Sequence, residues 1–597
     1  MSETSERNIH RTHRCGELSL ADAGKSVTLC GWVQRRRDLG ALIFITLRDR
    51  SGIIQCVFNR EANAELAAQA FTLRGEYTVS ISGTVAERDD SAKNPKMETG
   101  MIEVIASSLT VFSRAETPPF EIVENSDVNE ALRLKYRYLD LRRPDMQRVI
   151  AMRHRIAQAT RRFFDSEGFY EIETPILTKS TPEGARDYLV PSRVHPGKFY
   201  ALPQSPQQYK QLLMLAGFDR YFQITRCMRD EDLRVDRQPE FTQVDLEMSF
   251  VDTDDVIAVN ERYIQYLYKE ILGREISLPL PRLTYEEAMA RFGSDKPDLR
   301  FGYEIRDLSA LAASCGFGVF EGAVSGGGSV RAIKIDGGSA KISRKDIDAL
   351  TQFVKTYRAG GLAWIRLTDG GSKASFEKFV QPETVQAILS ALGAVDGDLV
   401  LIVADKSNRV VFDALGALRC ECARRTGVID KDDVQLLWVV DFPMFEYSEE
   451  ENRYVAMHHP FTAPLDEDID KLETDPSAVK AKAYDMVLNG FELGGGSIRI
   501  HSSELQARMF RALGLSEEVQ QERFGHLIEA FQYGAPPHGG LAFGLDRICM
   551  LLSGRDNIRD VIAFPKMQNA AELMMNSPDT VDAKQLAELH IALDLDD

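Results

Sequence analysis

Residues 222–250, FQITRCMRDEDLRVDRQPEFTQVDLEMSF, decide the fold of this chain. Apolar and polar residues alternate on both sides of a charged segment, which predicts two antiparallel strands joined by a loop. Arg229 opens this loop, and a planar guanidinium can bind two phosphate oxygens at once. Glu231 points to the same face two residues later and can accept a hydrogen bond from an exocyclic amine. Taken alone, a salt-bridged surface hairpin explains this stretch more simply.

A second element lies near the other end of the chain, where residues 539–547 read GGLAFGLDR. Its small residues predict a strand that a backbone or a ligand approaches closely, followed by the start of a helix. Arg547 at that start could enclose a purine together with the ring of Phe241. A third element is an amphipathic helix predicted at residues 146–167, followed by an extended segment with Pro175.

Composition excludes several classes of protein. The length of 597 residues suggests about four domains, and 44% apolar residues can fill their cores, which excludes a disordered or collagen-like chain. No apolar run approaches the ~20 residues of a membrane span, and the polar start is unlike a signal peptide, so we expect a cytoplasmic protein without a membrane anchor. Eight cysteines without a C-x-x-C pair indicate reduced thiols and argue against structural zinc.

Charge is unevenly distributed along the chain. The net charge of -18 would repel nucleic acid, but residues 1–116 carry 15 basic and 15 acidic residues and are neutral. Residues 133–162 hold ten basic residues against two acidic ones. Such a basic stretch fits an anionic partner, although a solvated helix face explains it equally well.

The pattern predicts an α/β multidomain protein. Three strands, a helix and two strands at the N-terminus follow the order of an OB-fold β-barrel, which binds single-stranded nucleic acid or serves as a structural barrel. Glycine-rich turns between short strands and helices predict an inserted α+β domain, and a helical tail is expected beyond Pro565. The predicted regions are the OB-fold domain at 1–116, a hinge at 117–145, a two-part catalytic domain at 146–295 and 429–566, the insertion at 296–428, and a C-terminal extension at 567–597.

Together and in this order, the three elements resemble motifs 1, 2 and 3 of the class II aminoacyl-tRNA synthetases, which have an antiparallel catalytic sheet. The N-terminal OB domain implies the subclass with the aspartyl, asparaginyl and lysyl enzymes. The insertion is similar to the GAD domain and points to the bacterial aspartyl type, over essentially the whole chain. The resemblance implies an aspartate-tRNA ligase, which activates L-aspartate with ATP and Mg²⁺ and transfers it to the 3' end of tRNA(Asp). It also implies a cytoplasmic homodimer.

The same resemblance implies the ATP site. Arg229 matches the α-phosphate ligand, Glu231 the acceptor for the adenine amine, and Phe241 and Arg547 the two faces of the adenine slot, so Arg229 and Arg547 are the implied catalytic residues. Asp485 and Glu492 match the carboxylates that hold Mg²⁺. The remaining positions that match ATP contacts are Asp230, Gln238, Glu492, Gly544, Leu545 and Asp546.

An aspartate side chain requires fixed cations in its pocket, and within the resemblance Lys210 and Arg499 fit this requirement. Asparagine would leave these two charges unpaired, which costs on the order of 3 to 5 kcal/mol. The resemblance adds Arg229, and it implies that Glu183 lies in a mobile loop over the substrate and that His458, rather than His459, is the substrate contact. The residues implied for the α-ammonium group are Ser205, Gln207 and Asp245.

Five residues of the OB domain match anticodon-reading positions of the family. Stacking on an aromatic ring and amide hydrogen bonds can read a single-stranded base. Val57 departs from the family pattern, which often has an aromatic residue there. Leu39 indicates a discriminating enzyme, because relatives that also charge tRNA(Asn) tend to have His at that position. The five residues are Arg37, Leu39, Phe44, Gln55 and Glu103.

Three other functions are compatible with parts of this pattern. An asparaginyl or lysyl enzyme is disfavoured by Lys210 and Arg499, which would repel lysine. A non-catalytic RNA-binding paralogue would be expected to lose motif residues, and Arg229, Glu231, Glu492 and Arg547 are all present. A relaxed aspartyl enzyme that also charges tRNA(Asn) differs from the main hypothesis only in its RNA specificity.

Overall fold

A computed structural model describes residues 9–181, 185–448 and 452–595. The chain divides into two compact units, residues 1–154 with 557–580, and residues 155–556 with 581–597. No helix in the described ranges combines the length and the apolar character needed to cross a membrane. All eight cysteines are free thiols, as the sequence predicts.

The first unit contains the predicted OB barrel, which is closed in the strand order β1-β2-β3-β5-β4. Its interior is lined by apolar residues that alternate along the strands. Helix α1 follows β3 and precedes β4 in the sequence. The strand β1 is long and continues to Leu39, because Arg35 to Leu39 pair with β2 in a hairpin. The elements are β1 (Ser26–Leu39), β2 (Leu42–Asp49), β3 (Gly52–Asn59), α1 (Ala64–Phe71), β4 (Thr78–Glu87) and β5 (Ile102–Ser113).

Three helices follow the barrel: α2 (Glu130–Lys135), α3 (Arg137–Asp140) and α4 (Pro144–Ser166). The side chain of Arg137 is buried and donates to the backbone carbonyls of Arg559, Ile562 and Ala563. Arg142 donates to Glu76 of the barrel at 2.9 Å and lies 5.0 Å from the ring centroid of Trp32. The predicted hinge is therefore a short helical segment with charged contacts on both sides.

An eight-stranded sheet dominates the second unit, in the order β11-β17-β20-β21-β22-β10-β9-β6. Its central pairs are antiparallel, while β6 and β11 pair in parallel at the edges. The elements before the insertion are β6 (Tyr170–Glu171), β7 (Leu189–Pro191), β8 (Phe199–Ala201), α5 (Gln207–Leu215), β9 (Arg220–Met228), β10 (Glu240–Ser249), α6 (Thr253–Leu267), β11 (Arg282–Thr284) and α7 (Tyr285–Phe292).

The insertion has its own five-stranded sheet, ordered β12-β13-β16-β14-β15, with one hydrophobic cluster on each face. Residues 318–325 form the helix α9, although their glycines predict a turn, because Phe320 and Ala323 are buried against the sheet. The elements are β12 (Arg306–Asp307), α8 (Ser309–Ala312), α9 (Gly318–Ser325), β13 (Ser329–Ile335), α10 (Gly338–Lys341), α11 (Arg344–Lys355), β14 (Ala363–Thr368), β15 (Gly371–Ala374), α12 (Pro382–Leu392), β16 (Leu399–Asp405) and α13 (Asn408–Thr426).

The chain then completes the large sheet. The prediction of a helical tail is wrong for most of its length, since the helix of the described tail is limited to residues 583–588. Near its start, Glu572 accepts hydrogen bonds from the backbone N–H groups of Met574 and Met575, a local turn that competes with helix formation at that point. The elements are β17 (Leu436–Val440), β18 (Phe445–Ser448), β19 (Arg453–Ala456), β20 (Ala483–Leu488), β21 (Phe491–Ile498), α14 (Ser503–Ala512), α15 (Glu517–Phe531), β22 (His538–Gly544), α16 (Leu545–Leu552) and α17 (Ala583–Glu588).

Candidate active site

The candidate site lies on the centre of the large sheet, where β10 pairs with β22 and β22 pairs with β21. Asp245 and Glu247 are two residues apart on β10, so their side chains point to the same face. Gly540 stands opposite Glu247 in the register. A β-carbon at Gly540 would lie 2.1 Å from Glu247 Oε2, so only glycine leaves room for this carboxylate.

Four buried charged side chains form one network above these strands. Arg499 binds Glu247 with two hydrogen bonds, 2.8 Å from Nε to Oε1 and 3.0 Å from Nη2 to Oε2. Lys210 on α5 places its Nζ 2.7 Å from Asp245 Oδ1 and 3.3 Å from Glu247 Oε2. Each of the four residues is at most 2% exposed. The two predicted substrate cations thus lie together, each held by an acidic residue.

The network sets the protonation of its carboxylates. Burial alone would raise the pKa of Glu247, but the charges of Arg499 and Lys210 outweigh it and lower that pKa to about 2. Burial raises the pKa of Asp245, and Lys210 only partly opposes it. Asp245 Oδ2 is buried and accepts no hydrogen bond from a described side chain or backbone group. Asp245 is therefore the member of the network with an acceptor available to a ligand.

His459 and Ser497 accept two further hydrogen bonds from Arg499. Arg499 Nη1 lies 2.8 Å from His459 Nε2, and the backbone nitrogen of Phe461 lies 3.2 Å from Nδ1 of the same ring. A neutral ring accepts from only one of these donors, and the charged donor at the shorter distance places the lone pair on Nε2. Burial and the nearby cations of Arg499 and Lys210 lower the pKa of His459 well below 6.5, which keeps the ring neutral. Ser497 Oγ accepts from the same Nη1. His459 thus fixes the guanidinium of Arg499.

His458, the residue predicted from the family, makes a different set of contacts. Its ring packs edge-on against Phe442 at 5.0 Å, and its Nε2 is buried without a hydrogen-bond partner in the described residues. Burial lowers its pKa to about 4. Its assignment as a substrate contact stays a prediction.

Gln207 begins a chain of polar contacts beneath the network. Its Nε2 donates to Gln211 Oε1 at 3.2 Å, and Gln211 Nε2 lies 3.1 Å from His538 Nε2. His538 Nδ1 lies 2.8 Å from the carbonyl of Pro536, which can only accept, so this nitrogen carries the proton. Ser205 Oγ accepts from the backbone N–H of Gln207 at 3.3 Å. Ser205 and Gln207 therefore lie at the start of α5, whereas Asp245, the third residue predicted for the ammonium group, lies on β10.

The predicted ATP residues gather at the loop between β9 and β10 and at the start of α16. The Arg229 guanidinium lies 5.2 Å from the ring centroid of Phe241, and its Nε has no hydrogen-bond partner in the described residues. Glu231 pairs with Arg237 at 3.2 Å. The two arginines therefore differ, since Arg237 is neutralised within the loop and Arg229 points its guanidinium over an aromatic ring.

Arg547 joins this loop to the opposite side of the site. It donates to the backbone carbonyl of Glu492, and its Nη2 lies 3.2 Å from Asp236 Oδ2. Asp546 is buried and accepts from the backbone N–H of Thr242 at 2.7 Å. Gly544 directly precedes α16, and Leu545 is buried as its first residue. Asp546 thus ties the start of α16 to β10.

Two further predicted ATP residues lie in the same loop. Gln238 is 2% exposed, and its Nε2 lies 3.4 Å from the carbonyl of Arg237. Asp230 is half-exposed and pairs with Arg186 at 3.4 Å. Glu183, the predicted lid residue, lies outside the described residues.

Asp485 and Glu492 converge on Gly495. A β-carbon at Gly495 would lie 2.4 Å from Asp485 Oδ1 and 3.7 Å from Glu492 Oε1. Burial and the carboxylates of Glu492 and Asp295 raise the pKa of Asp485 well above 3.8. Two hard oxygen donors that repel each other fit a divalent cation, which would relieve this repulsion. A group of three or more metal-binding side chains does not occur in the described ranges.

In the first unit, the structure brings four of the five predicted anticodon residues together. Arg37 Nη2 donates to Gln55 Oε1 at 3.0 Å, and Gln55 Nε2 donates to Glu103 Oε2 at 2.9 Å. The Arg37 guanidinium lies 5.9 Å from the ring centroid of Phe44. Leu39 ends β1 and is 70% exposed.

The family description tRNA synthetases class II (D, K and N) matches residues 129–568, and OB-fold nucleic acid binding domain matches residues 27–112. The aspartate-tRNA ligase of Ruminiclostridium cellulolyticum is 60% identical over 590 residues, which is 99% of each chain. The chain belongs to the aspartate-tRNA ligase family. It is a class II aminoacyl-tRNA synthetase, as its motifs predict.

Two further proteins are similar to this chain. The aspartate-tRNA(Asp/Asn) ligase of Caldanaerobacter subterraneus subsp. tengcongensis is 57% identical, over 98% of this chain and 99% of its own. The asparaginyl-tRNA synthetase of Pyrococcus horikoshii complexed with asparaginyl-adenylate superimposes with a TM-score of 0.59 at 19% identity, and the match covers 93% of this chain and 98% of that one. This second likeness supports the fold.

Sequence reasoning about the ligase misses Glu247, His459 and Asp236. Glu247 has the strongest signal, because an ionisable residue at an inward position of a predicted strand requires a buried partner. Asp236 is one of several charges in the loop, and its contact with Arg547 joins residues 311 positions apart. Sequence spacing carries no signal for such a contact.

Proposed function

We propose that this ligase forms aspartyl-adenylate from L-aspartate and ATP in the pocket around Lys210 and Arg499, and transfers the aspartyl group to tRNA(Asp). The pairing of both cations with Asp245 and Glu247 is the observation that carries the proposal. Recognition of a carboxylate requires fixed cations that can still donate hydrogen bonds to it.

Counting N–H groups supports recognition of the aspartate side chain. Arg499 has five N–H groups, and four of them serve Glu247, His459 and Ser497. Lys210 has three, and two face Asp245 and Glu247. One N–H of each cation remains for a substrate carboxylate. An asparagine amide would direct its own N–H groups at one of them, so the geometry favours aspartate.

The opposite end of the substrate meets acceptors. Asp245 Oδ2 is a buried acceptor, and a substrate ammonium would provide the compensating charge. Ser205 and Gln207 stand at the start of α5, the helix that also carries Lys210. The two ends of aspartate would thus be read by the same helix and by β10.

Adenylate formation requires positioning rather than a protein base. The α-carboxylate attacks the α-phosphorus, an O–P bond forms, and the bond to pyrophosphate breaks. Arg229 would stabilise the charge on the α-phosphate, and Phe241 and Arg547 would hold the adenine ring. Asp485 and Glu492 would hold Mg²⁺, which draws negative charge from the departing pyrophosphate when bound. The 3' hydroxyl of tRNA then replaces AMP on the aspartyl carbonyl.

The remaining expectations concern RNA, assembly and location. The cluster of Arg37, Phe44, Gln55 and Glu103 would read an anticodon base by stacking and hydrogen bonds. A second copy of the chain would complete a homodimer along motif 1, and the cytoplasm would be the site of action. The predicted domain boundaries remain part of this proposal.

Amino-acid-dependent exchange of pyrophosphate into ATP tests the first step. We expect exchange with aspartate and at most 1% of that rate with asparagine, lysine or glutamate, a ratio of about 100 for losses of roughly 3 kcal/mol. Equal exchange with asparagine would contradict the proposed pocket. Lys210→Met should abolish the preference, whereas Lys269→Met, an exposed lysine of the same unit, should preserve it.

A relaxed RNA specificity is the second candidate, because relatives at 57% identity are named aspartate-tRNA(Asp/Asn) ligases. Leu39 favours the discriminating enzyme. Aspartylation of tRNA(Asp) and tRNA(Asn) transcripts by the purified protein separates the two. Equal rates on both transcripts would establish the relaxed enzyme.

A further inference from the structure

An exposed aromatic ring on the OB barrel lies between two arginines. Phe71 ends α1 and is 47% exposed. The Arg36 guanidinium lies 4.7 Å from its ring centroid, and that of Arg60 lies 5.7 Å from it. We call these three residues the arginine platform: Arg36, Phe71 and Arg60.

Both arginines are held in place by a second contact. Arg36 Nη1 donates to the carbonyl of Leu73 at 3.2 Å, and Arg60 Nη2 donates to Asp38 Oδ2 at 2.8 Å. Ordering a long side chain in advance lowers the entropy that binding would cost. Each guanidinium retains further N–H groups, since each has five and these contacts use one.

The arginine platform borders a cavity of about 420 Å³, lined by Asp38, Arg60, Ala64, Ala68 and Phe71. The cavity lies where the hairpin of β1 and β2 meets α1. With two arginines and one aspartate, the surface has a net positive charge. The chain as a whole carries -18, so a polyanion would be attracted only to local surfaces of this kind.

The arginine platform is distinct from the predicted anticodon cluster. Arg36 and Arg37 are neighbours on β1, and their side chains point to opposite sides of the strand. Arg37 contacts Gln55 and Phe44, while Arg36 contacts Phe71. The β1 hairpin therefore presents a basic surface on each of its two sides.

Packing alone accounts for part of this arrangement, since a cation over an exposed aromatic ring is weakly stabilising. It does not account for the choice of two arginines around a half-exposed ring beside an open cavity. Arginine forks match phosphate oxygens, and phosphate contacts are the commonest contacts between proteins and nucleic acids. The domain also matches a nucleic-acid-binding family.

We infer that the arginine platform is a second RNA-binding surface, which holds the sugar-phosphate backbone of the tRNA next to the anticodon. Arg36 and Arg60 bind phosphate oxygens, and Phe71 keeps the two guanidinium groups apart. This surface adds affinity without reading sequence, because it contacts no base edge. The inference rests on the proposed function, because it takes the bound RNA to be tRNA.

Binding of a tRNA(Asp) transcript at several salt concentrations tests the platform. We expect Arg36→Ala and Arg60→Ala each to weaken binding about tenfold at low salt and to reduce the salt slope by about one, as loss of one phosphate contact requires. Arg50→Ala removes the same charge from an exposed position at the other end of β2 and should change affinity less than about twofold. Equal effects of Arg50→Ala and Arg60→Ala would overturn the inference.

Two further variants separate binding from folding. Phe71→Tyr keeps the ring and should bind like the wild type, whereas Phe71→Ala should resemble the arginine variants. If Phe71→Ala unfolds, the arginine variants, whose side chains are exposed, still decide the matter. Aspartate-dependent pyrophosphate exchange needs no RNA and should be unchanged in all of them. Absence of exchange in the wild type would contradict the proposed function, while normal exchange with unaltered RNA binding in both arginine variants would contradict the platform alone.

Discussion

Asp236 Oδ2 lies 3.2 Å from Arg547 Nη2, so an acidic residue of the loop between β9 and β10 forms an ion pair with the arginine at the start of α16. Both side chains are partly exposed, at 29% and 21%. If Arg547 binds the nucleotide, as its motif predicts, the charge of Asp236 partly cancels the cation that the anionic ATP meets. Asp236 would then lower the affinity of the free enzyme for ATP.

Asp236→Asn should lower the KM for ATP about two- to fivefold in pyrophosphate exchange, because a partly exposed ion pair is worth up to about 1 kcal/mol. Asp232→Asn is the matched control, since Asp232 is an exposed aspartate of the same loop. A raised KM for ATP in Asp236→Asn would show that Asp236 helps to bind the nucleotide.

Arg499→Lys should lower kcat/KM for aspartate about 10- to 100-fold. Lysine keeps the charge, but a single nitrogen cannot span both oxygens of Glu247 and also reach a substrate carboxylate, and a charged hydrogen bond is worth about 1.5 to 3 kcal/mol. Arg511→Lys changes an exposed, paired arginine on α14 and should leave kcat/KM unaltered. Equal values for Arg499→Lys and the wild type would exclude a fork-like contact.

The pKa of His459 predicts how the enzyme depends on pH. Because burial and two cations lower this pKa well below 6.5, the ring stays neutral between pH 6 and pH 8, and the KM for aspartate should be flat across that range. An inflection near pH 6.5 that disappears in His459→Gln would contradict the neutral ring.

The lowered pKa of His459 also determines how the stability of the fold depends on pH. The unfolded chain takes up a proton near pH 6.5 and the folded ring does not, so the contribution of His459 to stability is complete above pH 6.5 and declines as the pH falls below it. His458 behaves likewise down to its folded pKa of about 4. Thermal unfolding between pH 5 and pH 7.5 should therefore show a smaller decline in His458→Gln than in the wild type.

Gly495→Ala should raise the Mg²⁺ concentration that gives half-maximal exchange. The new methyl group would lie 2.4 Å from Asp485 Oδ1 and force that carboxylate away from Glu492. Overpacking of this kind also costs about 1 to 3 kcal/mol of stability. Gly322→Ala adds a methyl group in open space on α9, so it should leave the Mg²⁺ dependence unchanged, and its higher helix propensity should prevent any loss of stability. An unchanged Mg²⁺ dependence in a folded Gly495→Ala would contradict the metal assignment.

The sequence predicts the strands well, because alternation along a sheet that is buried on one side is a local property. The strands β9 and β10 and the barrel strands are recognisable on these grounds. Helix α9 is missed because Gly322 and the following glycines lower helix propensity, while burial of Phe320 and Ala323 against the insertion sheet outweighs it.

Spacing and motif resemblance identify some residues of the site but not all of them. Lys210, Asp245 and Arg499 meet in one network, but Glu247, which joins them, is 252 positions from Arg499. Its role depends on the register of β10 with β22, which tertiary structure alone determines. His459 and Asp236 are missed for the same reason.

The pairing of β10 with β22 has a consequence for protein synthesis. Strand β10 ends at Ser249 and β22 begins at His538. At roughly 5 to 20 residues per second, a ribosome needs about 15 to 60 s to add the roughly 290 residues between them. For most of that time Asp245 and Glu247 lack Arg499, and for all of it they lack the neighbouring strand β22. The nascent chain therefore carries an open sheet edge that closes only when nearly all of the polypeptide has been translated.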